Sequence, residues 1–308
     1  MAKARSVHHL SLFGRWSLFR TSSHSERGFD VREDVHKRGL YVHLDKCVLY
    51  IPNSGMVDTV HRDYGLAPDL HVTSDGVVVL GIPVGSSEFC ERHLREVVAN
   101  IHNFHNRLSD LESPQLALLL LRMSAGATKA VHILRCLPPD TTASLCLAVD
   151  VSMDQQVLNI MGLENRTKLT DAQWMQIHLP LSMSGFGLPR SFNIKEAAYL
   201  ASILTVNRNP KLLQSMCSVI QFSSVDPTIQ TFNTLVAETD MIGRDVFSQE
   251  VREKLMTQRE LTARIHQHSF DLFPKDKSHN VARSHFLIQE SQPVITLSDL
   301  HFFALSNW

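Results

Sequence analysis

The sequence predicts an α+β protein, mostly α-helical, with a small antiparallel sheet near residues 41–83 followed by a helical bundle and further helices. Three observations predict it. Two short, β-branched runs, Val48-Leu49-Tyr50-Ile51 and Val77-Val78-Val79-Leu80, are each bounded by turn residues, a pattern that favours buried strands over helices. From Ser86 onward apolar residues recur at helical spacing, as they do on a helix that buries one face. The helical part also carries start and stop signals, among them Ser113-Pro114, Pro138-Pro139 and Gly162, residues that begin or end helices for steric reasons.

Taken in order, Phe29 to Lys37 reads as a helix end stopped by Gly39. Pro52-Asn53-Ser54-Gly55 closes the first strand. Asp75-Gly76 can adopt the positive φ angles of a tight hairpin turn, which makes His71-Val72-Thr73 the expected partner of the second strand. Ser86-Ser87 can cap a helix running to about Leu108, with Leu94, Val97, Val98, Ile101, Phe104 and Leu108 on one stripe. Ser113-Pro114 starts the next helix. It is apolar on most sides from Leu116 to Leu134, so it is expected to be central and buried, and Pro138-Pro139 ends it. Asp140 or Thr141 is the expected cap of a helix that stops at Gly162. Thr170 and Gln173 have the spacing of a capping box. Pro180 to Pro189 reads as a Gly- and Ser-rich loop. Helices are expected over 194–206, 210–222, 225–239, 244–266 and 281–290, with a last short one opened by Ser298-Asp299.

Composition narrows the function classes. With 308 residues, 44% hydrophobic and 20% charged, the chain can bury a core. A net charge of −1 lacks the basic surplus that phosphate contacts require, which counts against strong nucleic-acid binding. The five cysteines (Cys47, Cys90, Cys136, Cys146 and Cys217) are odd in number, scattered and without a CxxC pair. They read as buried thiols of a reduced intracellular protein. The apolar run Leu116 to Leu121 is too short to cross a bilayer, so no membrane span is expected. Residues 1–25 hold Lys3, Arg5, Arg15 and Arg20, several serines and no acidic residue. That composition is transit-like, and it adds a mitochondrial alternative to a nuclear or cytoplasmic location.

A family resemblance lies in ordered motifs. Gly39-Leu40, then Lys46-Cys47, then a strand, then Leu80-Gly81-Ile82-Pro83-Val84-Gly85 resembles the downstream palm of reverse transcriptases from non-LTR retrotransposons. The family's Asn position is His43 here. Leu121-Arg122-Met123 through Pro138-Pro139 resembles the helical thumb. The stretch from Leu179 to Leu188 with Ala197-Ala198-Tyr199-Leu200-Ala201-Ser202 resembles the segment after it. The resemblance spans roughly residues 30 to 205 and implies four regions. Residues 1–28 would be unstructured or transit-like, 29–86 a partial palm, 87–162 a thumb-like region and 163–308 a helical C-terminal region. The family-matching positions are Gly39, Leu40, Lys46, Cys47, Leu80, Gly81, Pro83 and Gly85.

Such polymerases use two metal ions, Mg in the intact family, held by carboxylates. Before Gly39 stand only Asp30 and Asp34, one helical turn apart, and no Asp-Asp pair. The fingers and the first metal-binding Asp are expected to be missing. The resemblance therefore implies a catalytically inactive remnant, with no catalytic residue, no metal site and no cofactor. The alternative is a helical protein- or RNA-binding module. RNA or DNA would bind weakly, and protein would bind through exposed apolar surface. In the family the residue matching Lys46 lies near the nucleotide phosphates; without metals a strand-edge Lys that discourages edge pairing is the plainer reading.

Other motifs read as structural. Cys90-x-x-His93 and His102-x-x-His105 fall on nearly opposite faces of one expected helix and cannot converge on one ion. His266-x-His268 has the wrong spacing for one helix face. Gly185-Phe186-Gly187 lacks the third glycine of a dinucleotide fingerprint and reads as a turn. Cys136 reads as a buried structural thiol.

Overall fold

The computed structural model describes residues 7–12, 16–21, 47–57, 59, 70–207, 225–243 and 256–272. The fold is α+β and mostly helical. It divides into two units, Met1–Leu94 and Arg95–Trp308. The expected helices at 29–37, 210–222, 281–290 and after Ser298 lie outside the described residues, as does most of the one at 244–266.

The first unit holds the strands. A four-stranded sheet has the order β2-β1-β3-β4, formed by β1 (Val7–Leu12), β2 (Trp16–Thr21), β3 (Cys47–Tyr50) and β4 (His71–Thr73). β1 pairs antiparallel with both β2 and β3. Strands thus occupy part of residues 1–28, where the sequence suggests no regular structure. A separate hairpin joins β5 (Gly76–Val79) to β6 (Ile82–Gly85).

Two sequence expectations fail here, one because the β3–β4 pairing is long-range and one because an apolar Leu80 carries the β-branched run into the turn. β4 pairs in parallel with β3, Val48 opposite His71 and Tyr50 opposite Thr73, and does not pair across Asp75-Gly76 with β5. The hairpin turn is instead Leu80-Gly81, with φ of 52° and 84°. Val79 faces Ile82, so the loop has two residues, both at positive φ, as in a type I′ turn. Leu80 therefore leaves the strand and is 75% exposed.

The helices begin where the local chemistry directs. α1 spans Ser87–Leu108, and the Ser86 hydroxyl accepts from Phe89 N–H at its start. α2 (Pro114–Leu120) has Ser113 as its N-cap, accepting from Leu116 N–H, and Pro114 in its first turn. The single buried helix expected from here to Cys136 is broken. Leu121–Ala125 form a π turn closed by Gly126 N–H donating to Leu121 C=O at 2.7 Å. A 3-10 turn, Ala127–Lys129, precedes α3 (Val131–Cys136). By length and composition Pro114–Cys136 would suffice to cross a membrane, with mean hydropathy 1.3; Leu121, Ala125, Ala130 and Leu134 on it are fully buried in the protein.

α4 (Pro139–Ile160) has Pro138 at its N-cap position without a side-chain cap and Pro139 in the first turn, so neither Asp140 nor Thr141 caps it. It stops at Gly162, whose φ is +66°, while Leu163 N–H donates back to Leu158 C=O. Thr170 and Gln173 make the expected capping box at α5 (Asp171–His178). α6 (Ser191–Asn207), α7 (Val225–Thr234) and α8 (Gln258–Asp271) follow, and a second capping box joins Thr257 to Glu260.

The second unit has two apolar clusters. One gathers Leu118, Leu121 and Ala125 with Met153, Val157, Trp174, Ile177 and Leu188. The other packs Ala197, Leu200 and Leu204 of α6 against Ile229, Phe232, Leu261 and Ile265. Burial of this kind is worth about 25 cal/mol per Å² of apolar surface.

Candidate functional site

Of the family-matching residues, Gly39, Leu40 and Lys46 lie outside the described residues, as do His43, Asp30 and Asp34. Cys47 opens β3 and is buried. Leu80, Gly81, Pro83 and Gly85 all belong to the β5–β6 hairpin. What they share is backbone geometry. A Cβ on Gly85 would sit 2.4 Å from Asp75 O and Gly76 Cα. One on Gly76, directly opposite, would sit 2.4 Å from the Phe89 ring. Gly85 is thus required by the facing backbone and Gly76 by the Phe89 ring.

The hairpin is tied to the first turns of α1. Asp75 accepts from Ser86 Oγ at 3.0 Å and pairs with Arg92 at 2.6 Å. Those hydrogen bonds, the Arg92 one first, hold the Asp75 carboxyl below its usual range. Cys90 Sγ donates to Pro83 C=O, and His93 Nε2 meets Gly81 C=O at 3.3 Å. Burial raises the Cys90 thiol. These contacts brace the hairpin against the start of α1.

The titratable chemistry lies in the second unit, among residues that the motifs do not include. Asp150 and Asp154 are one turn apart on α4. Asp150 accepts from the backbone N–H groups of Ser191 (2.7 Å) and Phe192 (3.0 Å), so it caps the N-terminus of α6. Burial nevertheless raises its carboxyl. Asp154 pairs through Oδ2 with Arg190 Nη2. Its Oδ1 is buried without a hydrogen-bond partner and faces His178 Nε2 at 3.4 Å. His178 Nδ1 donates to Leu188 C=O at 2.9 Å, and Nε2 accepts from Arg190 Nε–H at 3.3 Å. Trp174 packs edge-on against the imidazole, with the Arg166 and Arg190 guanidinium groups over its ring at 5.2 and 5.8 Å.

Burial pushes Asp154 up to about 6, against the pull of Arg190. It pushes His178 down to about 4, with Arg190 and Arg166 adding to the effect. Desolvation disfavours whichever form is charged, so it raises the acid and lowers the base. Nearby on α6, Lys195 and Glu196 form a buried ion pair, with the Lys195 ammonium 4.1 Å from the centre of the Phe192 ring. Burial, with the Asp150 charge next, drives the Cys146 thiol up to about 12.

No family model, curated protein or solved structure matches this chain.

The remaining sequence candidates separate. On α1, His105 is fully buried, bonded to Ala125 C=O (2.8 Å) and to Ser152 Oγ (2.7 Å), and His102 meets Ala148 C=O. Burial lowers the basicity of His105 and of His266. Among the described residues no three His, Cys, Asp or Glu side chains gather as a metal site. Gly187 has φ +70°, and a Cβ on Gly185 would sit 2.1 Å from Leu179 O, so both serve a tight turn. Cys136 corrects an expectation: it is exposed, as the last residue of α3. Cys217 lies outside the described residues. The Asp150/Asp154 pair had a usable signal, two acids inside the buried stripe Cys146, Val149, Met153 and Val157. His178 and Arg190 had none, because what joins them to α4 is tertiary.

Proposed function

We propose that this chain is a catalytically inactive remnant of a retroelement RNA-directed DNA polymerase, retaining part of the palm, the thumb and the helical region after it. The observation that carries the reading is the hairpin Gly76–Gly85. Its motif residues Leu80, Gly81, Pro83 and Gly85 follow the Lys46-Cys47 strand and precede the helical segments in the family's order. Inactivity draws on the sequence, which contains no Asp-Asp pair, since two-metal phosphoryl transfer needs clustered carboxylates. The test is primer extension by purified protein with Mg²⁺ or Mn²⁺. The expected result is no incorporation; template-dependent extension overturns the proposal.

A second reading, a helical module that binds protein or RNA, draws on Leu147 and Val151. They lie one turn apart on α4 and are 52% and 68% exposed. Adjacent exposed apolar side chains suit a partner surface. A gel-shift titration with single-stranded RNA at low and raised salt checks the RNA branch, since phosphate contacts weaken steeply with salt. A shift lost on adding salt supports RNA binding, and no shift at low salt excludes it.

A further inference from the structure

The cluster around Asp154 contains an asymmetry that fixes where a proton goes. His178 Nδ1 has a carbonyl oxygen, that of Leu188, as its partner, so Nδ1 must carry hydrogen. His178 Nε2 faces the Nε–H of Arg190, a group that can only donate. A neutral imidazole with its proton on Nδ1 satisfies both contacts. An imidazolium would direct its second N–H between Asp154 Oδ1 at 3.4 Å and the Arg190 Nε–H at 3.3 Å, so that any bond to the carboxylate is opposed by a donor and a positive charge at the same nitrogen. Asp154 Oδ1, by contrast, is buried, receives no hydrogen bond and faces the Nε2 lone pair at 3.4 Å. As a carboxylate oxygen it meets a lone pair with a lone pair; as O–H it shares the single Nε2 lone pair with the Arg190 Nε–H, a bifurcated contact.

We propose that burial, reinforced by Arg190, holds His178 neutral, and that the proton this cluster takes up on acidification resides on Asp154 Oδ1, directed at His178 Nε2. The site is a one-proton switch in which the stronger acid and the stronger base of the free amino acids exchange roles. The surrounding charges agree with the assignment. Arg190 faces the pair from the segment before α6, and Arg166, paired with Asp171, faces it from the turn before α5. Both repel a charged imidazole. Asp150, one turn away on α4, disfavours a second carboxylate and so favours protonation of Asp154. The buried Lys195–Glu196 pair on α6 is internally neutralised. Arg190 acts here as a positioning residue: it transfers no proton and decides which of its neighbours can hold one.

The experiment is an NMR titration of the full-length chain between pH 7.5 and 5. Ring ¹⁵N shifts of His178 and the side-chain carboxyl ¹³C shift of Asp154 are followed, and signals are assigned with His178→Asn and Asp154→Asn. In the wild type, His178 is expected to keep its proton on Nδ1 and stay neutral down to pH 5, while the Asp154 carboxyl titrates in this range. In a folded Arg190→Gln variant, the His178 transition is expected to move up by at least one pH unit. Formation of the imidazolium above pH 6 in the wild type overturns the proposal, as does an Nε2–H tautomer. Both readouts come from the wild type and do not depend on the Arg190→Gln variant folding.

Discussion

The β5–β6 hairpin and the Asp154–His178–Arg190 cluster are built on opposite principles. The hairpin holds half of the residues on which the family resemblance rests, and what they supply is backbone geometry: positive φ at Leu80 and Gly81, and a Gly85 too close to the Asp75 and Gly76 backbone for any Cβ. Its one described ion pair, Asp75–Arg92, is half exposed. The cluster has no motif, its residues are spread over 41 positions from Asp150 to Arg190, and its role is charge in a dry place. Asp154 and His178 side chains are 18% and 12% exposed. A short pattern in a sequence can thus record where a chain bends, while its titratable chemistry is assembled from residues no pattern connects.

The largest effect that separates the two regions is expected from Gly85→Ala. The added Cβ meets backbone on two sides, which cannot yield as a side-chain tip does. The expected cost is about 3 kcal/mol, read as a lowered urea midpoint at unchanged slope. A cost near zero would mean that backbone contact does not constrain the hairpin.

Asp154→Ala comes next. It leaves Arg190 without its carboxylate and strips the cluster of its acid, at an expected cost of about 2 kcal/mol. That is less than for a fully buried pair, because Arg190 is a third exposed and can reach water. Chemical denaturation at pH 7 measures it, and a neutral result would show that the pair contributes nothing.

The pH dependence sharpens the contrast further. His178 is lowered to about 4 when folded, against an ordinary value near 6.5. Its contribution is present above pH 6.5 and is lost as pH falls toward 4. Asp154 is raised to about 6 when folded, so its contribution is present below the ordinary carboxylate range and is lost as pH rises through 6. Between pH 4 and 6 the two oppose each other. In Asp154→Asn only the histidine effect remains. Between pH 7 and 5 that variant is expected to lose stability more steeply than the wild type, by about 1 kcal/mol. Equal slopes would refute the opposition.

The smallest effect is expected from Leu80→Asn. It places Asn-Gly in a two-residue turn where both positions have positive φ, and removes an exposed apolar side chain from a conformation it dislikes. A gain of about 0.5 kcal/mol is expected, seen as a small rise in Tm. A loss would mean that the Leu80 side chain has a packing role.

Much of the helical part was legible because its signals are local. Ser113-Pro114, Gly162 and the Thr170–Gln173 box act on backbone groups within four residues, and so can be read without knowing the fold. Leu80 misled because an apolar residue continued a β-branched run, although its φ of 52° puts it in the turn. The parallel β3–β4 pairing joins residues 23 apart, Val48 and His71, and no local pattern encodes that. Within the site, Asp150 and Asp154 are acids in an apolar stripe, a signal not taken up in the sequence reading, and their partners are set by how α5 and α6 dock on α4.

The π turn at Leu121–Ala125 is the geometry a helix adopts when it carries one residue more than its hydrogen-bond ladder can use. Taking out a single residue such as Ser124 would restore an ordinary turn, but it would also swing everything on one side of it by about 100° relative to the other. α2 would then turn buried Leu118 away from its neighbours. The surplus residue acts as a phase shifter, allowing α2 and the segment after Gly126 each to present its own apolar side to the same interior.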